Sequence, residues 1–189
     1  MKISETCTER VEVSVAEILI VEIVAGFRPL VGRKNYDTIP RMNISQITDN
    51  LFVGNMPFQR DYDRLRDLGV RLIINMRFTL GPSLDAHSQP IDTLWLRSID
   101  SPFFPIPIHN LMRGAQTALE TIQAGGKVYA HCAYGRHRGP AMGACILIAQ
   151  GYAPQEAMQL IKDRRPVADP FAWYIRPRIL KFAKEWNHP

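Results

Sequence analysis

The sequence predicts an α/β fold, a three-layer sandwich in which helices flank a central, mostly parallel sheet of about four or five strands. Short apolar runs typical of buried strands alternate along the chain with segments whose apolar residues recur at helical spacing. The 189 residues are 46% hydrophobic and 22% charged, a composition typical of one globular domain with a sizeable core. These observations exclude a disordered or fibrous chain.

Apolar spacing and terminating residues place each element in order. Strands are expected over 51–53, 70–75, 93–99 and 127–131. Helices are expected over 61–68, 110–123, 139–150, 154–164 and 171–186. Gly69, Gly125 and Gly151 follow three of the helical patterns, where glycine commonly ends a helix. Pro177 falls in the first turns of the last helix, where proline is tolerated.

The N-terminal part of the chain differs from the rest. Residues 1–43 are expected to form an extension and linker ahead of a domain over 44–189. Within it, residues 11–27 are apolar but carry three glutamates at a five-residue spacing, which favours neither helix nor strand. The segment either packs on the domain, or forms an interfacial helix that contacts a membrane surface through residues 11–34.

Charge and cysteine content restrict the partners and the compartment. The net charge of +5 and the pI of about 9.3 favour anionic partners, and no run of basic residues is long enough to indicate nucleic acid. Three cysteines without a Cys-x-x-Cys pair indicate neither a disulfide framework nor a metal site. A reducing compartment, the cytoplasm, is therefore expected. No cofactor is expected. The sequence indicates no oligomeric state.

One stretch, 127–150, predicts the chemistry. It reads as a buried strand, a tight loop from Cys132 to Arg138, and an apolar helix. Backbone N–H groups of such a loop and the positive end of the helix dipole bind anions, and the same field stabilises a thiolate. The guanidinium of Arg138 matches two phosphate oxygens. The alternative is a buried structural cysteine beside a solvated arginine.

The pattern His131-Cys132-x5-Arg138 resembles the signature of the cysteine-dependent protein-tyrosine phosphatases, in the compact setting of the dual-specificity branch. The run from residue 50 to 77 also resembles the opening of that branch, and residues 161–173 resemble its C-terminal Arg-Pro turn. The resemblance implies that Cys132 is the nucleophile, that Arg138 binds the phosphate, and that His131 orients and tunes the cysteine. The remaining residues of the implied phosphate-binding loop are Ala133, Tyr134, Gly135, Arg136, His137 and Gly139.

Asp100 is the predicted general acid. A departing alkoxide or phenoxide needs a proton, and Asp100 follows a predicted strand and begins a proline-rich loop. In a parallel sheet this places it at the same edge as Cys132, and the family resemblance implies the same assignment. The alternative is that Asp100 only caps the turn before Pro102. Asp85 and Asp92 are weaker candidates because they precede the strand.

Gly139 departs from the family pattern, which usually has Ser or Thr after the arginine. That hydroxyl helps the thiolate leave when the phosphoenzyme is hydrolysed, so its absence bears on turnover. Three functions remain open: a phosphatase acting on phosphotyrosine, phosphoserine or phosphothreonine in proteins; a lipid phosphatase of the phosphatidylglycerophosphate or phosphoinositide type; and a slow-turnover, phosphate-binding pseudophosphatase.

Overall fold

A computed structural model describes residues 42–82, 85 and 87–187. Residues 1–41 of the predicted extension, and with them the segment 11–34, therefore lie outside the described residues. The strands are β1 (Ile44–Gln46), β2 (Leu51–Gly54), β3 (Val70–Asn75), β4 (Asp92–Trp95) and β5 (Lys127–His131). The α-helices are α1 (Tyr62–Asp67), α2 (Ile108–Gln123), α3 (Arg138–Ala149), α4 (Pro154–Arg164) and α5 (Arg176–Asn187), and a short 3-10 helix (Gln59–Asp61) precedes α1.

The strands form one sheet in the order β1-β2-β5-β3-β4. Only β1 is antiparallel to its neighbour, and the other three pairings are parallel. β5 therefore lies between β2 and β3, with Ala130 paired to Val53 on one side and to Ile74 on the other. The carboxyl ends of β3, β4 and β5 consequently meet at one edge, where ligands bind in sheets of this kind. The predicted α/β class is confirmed.

Alternate residues of the strands supply two apolar layers. Leu51, Val53 and Ile74 face the larger core, which is shared with α2, α3, α4 and α5. Their neighbours in sequence, such as Phe52 and Ile73, face a smaller core with Leu65 of α1. α3 runs through the larger core and is buried on all sides from Arg138 to Ile148, which explains why its sequence is apolar without a polar face. This burial fixes the start of α3 against the end of β5.

Several element boundaries differ from the sequence-based expectation. β4 ends at Trp95 instead of 99 because the Ser98 carbonyl accepts a hydrogen bond from a side chain rather than from a neighbouring strand. The last helix begins at Arg176 instead of 171, since Pro177 in its first turn has no N–H and disfavours helix before it. β1 was not predicted, because three residues on a sheet edge carry too little pattern. No helix among the described residues has the length and apolar character needed to cross a membrane.

Candidate active site

The loop from Cys132 to His137 connects β5 to α3, and its carbonyl groups point into the surrounding protein. The Ala133 carbonyl accepts from the backbone N–H of Met56 at 3.3 Å, and the Arg136 carbonyl accepts from that of Asp169 at 2.8 Å. Between them, the carbonyls of Tyr134 and Gly135 accept from the Arg165 guanidinium at 3.2 and 2.7 Å. Four consecutive carbonyls are thus held by the scaffold, which fixes the path of the loop.

The N–H groups of the same loop remain available. Within the described part of the chain, no carbonyl or side chain accepts a hydrogen bond from the backbone N–H of residues 133–138. Gly135 turns the loop with a φ of +64°, and a Cβ there would lie 2.4 Å from the Gly54 carbonyl oxygen. Free donors in a tight turn at the N-terminus of a twelve-residue helix form an anion-binding site.

Cys132 lies directly after β5 with 1% of its surface exposed, and its thiol is free. The adjacent N–H groups and the N-terminus of α3 place positive partial charges beside the sulfur. His131 does not add a positive charge: burial lowers its pKa to about 4, although the Cys132 carbonyl, 3.4 Å from Nδ1, acts in the opposite direction. The predicted tuning of the cysteine by His131 therefore cannot depend on an imidazolium near neutral pH.

Arg138 is the first residue of α3 and is almost fully buried. Its Nη1 donates to the carbonyls of Ser98 at 2.7 Å and Met76 at 3.1 Å, which follow β4 and β3. These bonds hold the plane of the guanidinium. Its Nε is buried and has no hydrogen-bond partner among the described residues. A phosphate oxygen would satisfy this donor, since a buried unpaired N–H is costly.

Asp100 lies beside Arg138. Its Oδ2 is 3.4 Å from Arg138 Nε, and its Oδ1 accepts a hydrogen bond of 3.0 Å from the Tyr174 hydroxyl. The carboxylate does not cap the following turn, because it is Ser101 Oγ that accepts from the Phe103 N–H. The side chain is 29% exposed, so a leaving group can reach it.

The two weaker acid candidates lie elsewhere. Asp85 pairs with Arg66 of α1 and accepts from the backbone N–H groups of His87 and Ile91. Burial alone would raise its pKa, but these hydrogen bonds and Arg66 hold the pKa below its usual value. Asp92 begins β4, at the opposite end of that strand from the site, and is exposed. Neither is brought to the loop.

The other predicted loop residues fall into two groups. Tyr134 is 82% exposed and Arg136 is also exposed, so both lie on the rim of the site. His137 is partly buried, and its Nδ1 lies 3.0 Å from the Tyr174 hydroxyl and 3.4 Å from Asp100 Oδ1. A cationic rim favours an anionic substrate.

Gly139 lies against the nucleophile. A Cβ at this position would be 3.1 Å from the Cys132 backbone nitrogen and from backbone atoms of His131. Gly139 does not have a positive φ, so its small size rather than its backbone freedom matters here. A side chain would fit only if the backbone shifted by a few tenths of an ångström.

Two residues of the site were not predicted from the sequence. Arg165 donates to the loop carbonyls and, through Nη1, to the Oδ1 of Asn43 at 2.9 Å, which ties the loop to the start of β1. Tyr174 contacts both Asp100 and His137. The Arg-Pro resemblance near residue 165 was a signal for the first. Nothing in the sequence pattern indicates the second.

Comparison with known proteins agrees with this geometry, although no family model matches the chain. The phosphatidylglycerophosphate phosphatase PTPMT1 of Arabidopsis thaliana is 26% identical over 75% of the chain, which spans 40% of that relative's length. Dual specificity protein phosphatase 13B of Mus musculus is 26% identical over 71% of the chain and 70% of its own length.

Solved structures of the same kind align with the fold. Human DUSP28 has a TM-score of 0.67 at 23% identity, over 79% of this chain and 97% of its own. PTPMT1 in complex with PI(5)P has a TM-score of 0.63 at 28% identity, over 76% and 93%. In sequence and fold, the chain is therefore similar to cysteine-dependent phosphatases of the dual-specificity type. The described loop carries the His-Cys-x5-Arg pattern, with Cys132 and Arg138 at its two ends.

Proposed function

We propose that the chain hydrolyses phosphate monoesters of proteins through a phosphocysteine formed on Cys132. The observation that carries this proposal is the loop with four consecutive carbonyls bound by the scaffold and with N–H groups that make no hydrogen bond to the described residues. Beside it lies Arg138 Nε, which makes an ion pair of 3.4 Å with Asp100 Oδ2 but no hydrogen bond to the described residues. Such a site can bind three phosphate oxygens and hold the phosphorus next to the sulfur.

The first step transfers the phosphoryl group to sulfur. The Cys132 thiolate attacks phosphorus, the S–P bond forms, and the bond from phosphorus to the ester oxygen breaks. Asp100, in its protonated form, gives its proton to the departing oxygen, so that an alcohol or phenol leaves. Arg138 and the loop N–H groups stabilise the charge on the three remaining oxygens.

The second step releases phosphate. A water molecule attacks phosphorus and the S–P bond breaks, which returns the thiolate. Asp100, now ionised, accepts a proton from that water and is again protonated for the next turnover. Because Gly139 offers no hydroxyl to the leaving sulfur, this step has less support in this chain than in members with Ser or Thr.

The relatives support a protein substrate, since the match to dual specificity protein phosphatase 13B covers 70% of that relative's length. A lipid substrate is the second candidate, supported by PTPMT1 and by one structural observation. A cavity of about 280 Å³ lies next to the segment that carries Asp100. Phe78, Phe103 and Phe104 line it and are 49%, 85% and 61% exposed, with Arg97 beside them. Exposed aromatic groups beside a cation are typical of surfaces that contact lipid.

A substrate panel tests the proposal. The full chain is assayed for phosphate release from phosphopeptides and from vesicles containing phosphatidylglycerophosphate or a phosphoinositide. A kcat/KM at least about tenfold higher on phosphopeptides supports the protein assignment, and the reverse ratio supports the lipid assignment. Absence of Cys132-dependent turnover on any substrate, including an activated aryl phosphate, would reduce the function to phosphate binding.

Matched variants sharpen the panel. Phe103→Ser should lower the rate on vesicles, but not on an activated aryl phosphate, if the cavity contacts lipid. Leu180→Ser removes a 40% exposed apolar side chain on α5 and is the control. We also propose that residues 11–34 contact a membrane, which binding of the full chain to anionic vesicles tests. We further propose that the chain is located in the reducing cytoplasm, which keeps Cys132 reduced, and cell fractionation tests this location.

A further inference from the structure

Tyr174 and His137 form a hydrogen-bonded group with Asp100, and the mechanism above gives no role to Tyr174 or His137. The three residues come from the segment before α5, from the phosphate-binding loop, and from the segment after β4. The Tyr174 hydroxyl oxygen lies 3.0 Å from Asp100 Oδ1 and 3.0 Å from His137 Nδ1. The two rings also meet edge to face, with centroids 5.5 Å apart. The group is thus held by packing as well as by polar contacts.

The hydrogen bonds of this group can run in only one direction, from His137 to Tyr174 to Asp100. The Tyr174 hydroxyl has a single hydrogen, which it donates to Asp100 Oδ1. Its oxygen can then accept only from a protonated Nδ1 of His137, so the histidine orients the hydroxyl toward the aspartate. Burial, and then the hydrogen bond to Asp100, raise the pKa of Tyr174 to about 12. The hydroxyl therefore keeps its hydrogen at the pH values at which a phosphatase operates.

This arrangement makes the two oxygens of Asp100 different. Oδ1 faces Tyr174 and His137, whereas Oδ2 lies 3.4 Å from Arg138 Nε, on the side of the phosphate-binding loop. A protonated carboxyl carries its hydrogen on one oxygen only, and an oxygen that accepts a hydrogen bond is not the one that donates. Occupation of Oδ1 therefore leaves the proton on Oδ2, where the leaving group is expected.

We propose that Tyr174 and His137 are positioning residues for the general acid: His137 orients the Tyr174 hydroxyl, the hydroxyl binds Oδ1 of Asp100, and Oδ2 delivers the proton. The inference rests on the proposed function, because it needs Asp100 to be the acid. The charged groups that face the cluster are His137 and Arg138 at the start of α3 and Asp169 from the segment after α4. Asp169 acts against a negative charge on Tyr174.

Tyr174→Phe is the direct test, because it keeps the ring and removes the hydroxyl. The kcat on aliphatic phosphate esters, which are poor leaving groups, should fall about tenfold, with little change on an activated aryl phosphate. His137→Leu should also lower kcat on the aliphatic esters, and His137→Asn, which keeps a donor near the Nδ1 position, should recover most of that rate. Tyr152→Phe, at the α3–α4 junction, is the control.

A double-mutant cycle separates this inference from the proposed function. If Tyr174 acts through Asp100, then Tyr174→Phe should have no further effect in an Asp100→Asn background. Additive losses, or an equal loss by Tyr174→Phe on both classes of ester, would overturn the inference and indicate a merely structural tyrosine. An Asp100→Asn variant with full activity on poor leaving groups would instead overturn the acid assignment in the proposed function.

Discussion

The two loops that meet at the site are held in different ways. The phosphate-binding loop has four consecutive carbonyls bound by the scaffold, and Cys132 and Gly135 within it are buried. The segment that carries Asp100 leaves Phe103 and Phe104 exposed, and it reaches the site through a hydrogen bond from Tyr174 and an ion pair with Arg138. The difference follows from what each loop binds. Phosphate is the same in every substrate and suits a rigid cradle, whereas leaving groups vary and meet an exposed surface.

The largest expected effect comes from the nucleophile in the rigid loop. Cys132→Ser should lower turnover by at least about 10⁴-fold, because the hydroxyl is not ionised by the field that stabilises a thiolate. In the unmodified chain, iodoacetate should alkylate Cys132 rapidly at about pH 6, and vanadate should block the reaction. Cys145 is the internal control, since burial raises its pKa well above the usual value. Labelling of Cys145 or Cys7 before Cys132, followed by peptide mapping, would contradict the assignment.

The acid segment should discriminate between substrates where the rigid loop does not. Asp100→Asn should lower kcat by about 10²–10⁴-fold on esters with poor leaving groups and much less on an activated aryl phosphate, which needs no proton. Steady-state kinetics on both classes measures the contrast. Equal losses on the two classes would show that Asp100 positions substrate instead of donating a proton.

Arg165 tests the rigidity of the phosphate-binding loop. Arg165→Met removes the donors to the carbonyls of Tyr134 and Gly135, so the loop should lose its fixed path. Turnover should fall about 100-fold on both classes of ester, in contrast to Asp100→Asn, because the loss is one of geometry. The free energy of unfolding should fall by about 3 kcal/mol, as buried carbonyls lose their partners. Arg164→Met, on exposed α4 surface next to it, is the control in denaturant titrations.

Substitution of Gly139 tests whether the phosphate-binding loop supports the hydrolysis of phosphocysteine as well as its formation. The missing hydroxyl should make phosphocysteine breakdown slower than its formation, so rapid mixing with an activated aryl phosphate should show a product burst near one equivalent. Gly139→Ser should raise the steady-state rate by about 10–100-fold, as expected for one hydrogen bond to a charged group.

Gly139→Ala separates the hydroxyl from the added bulk. Its Cβ meets the same backbone atoms of His131 and Cys132, at 3.1 Å, but offers no donor. If the contact distorts the loop, both variants should lose burst amplitude and rate. A linear time course in the unmodified chain, with no gain from Ser, would show that another group supports the leaving thiolate.

The prediction for His131, which precedes the phosphate-binding loop, concerns stability and not turnover. His131 has a pKa of about 4 when folded, whereas the unfolded chain binds a proton near the ordinary value of 6.5. As the pH falls from 6.5 to 4, the unfolded state gains a proton that the folded state does not, so stability is lost across this window by about 3 kcal/mol. His131→Gln should flatten the slope of unfolding free energy against pH. An unchanged slope would mean that His131 is not held neutral.

The strand-loop-helix that organises the site was predictable because its signals are local. Cys132 and Arg138 sit between a buried run and an apolar helix, and that order alone indicates an anion-binding loop. The α/β class followed in the same way from alternating patterns, and the structure confirms it. The prediction that Asp100 lies at the same edge of the sheet as Cys132 needed one further rule, that parallel strands end at a common edge. The roles of these three residues remain predictions that the kinetics above will test.

What only the tertiary structure decided is contact between segments far apart in sequence. Arg165 reaches the loop carbonyls from 30 residues away, and Tyr174 reaches Asp100 across 74. Neither contact leaves a periodic signal, because it depends on how α4 and the segment before α5 pack on α3. The charge of His131 also depends on burial from all sides, which no local pattern specifies. The sequence by itself therefore determined which groups carry the predicted chemistry, and the packing determined their charge states and the residues that hold them.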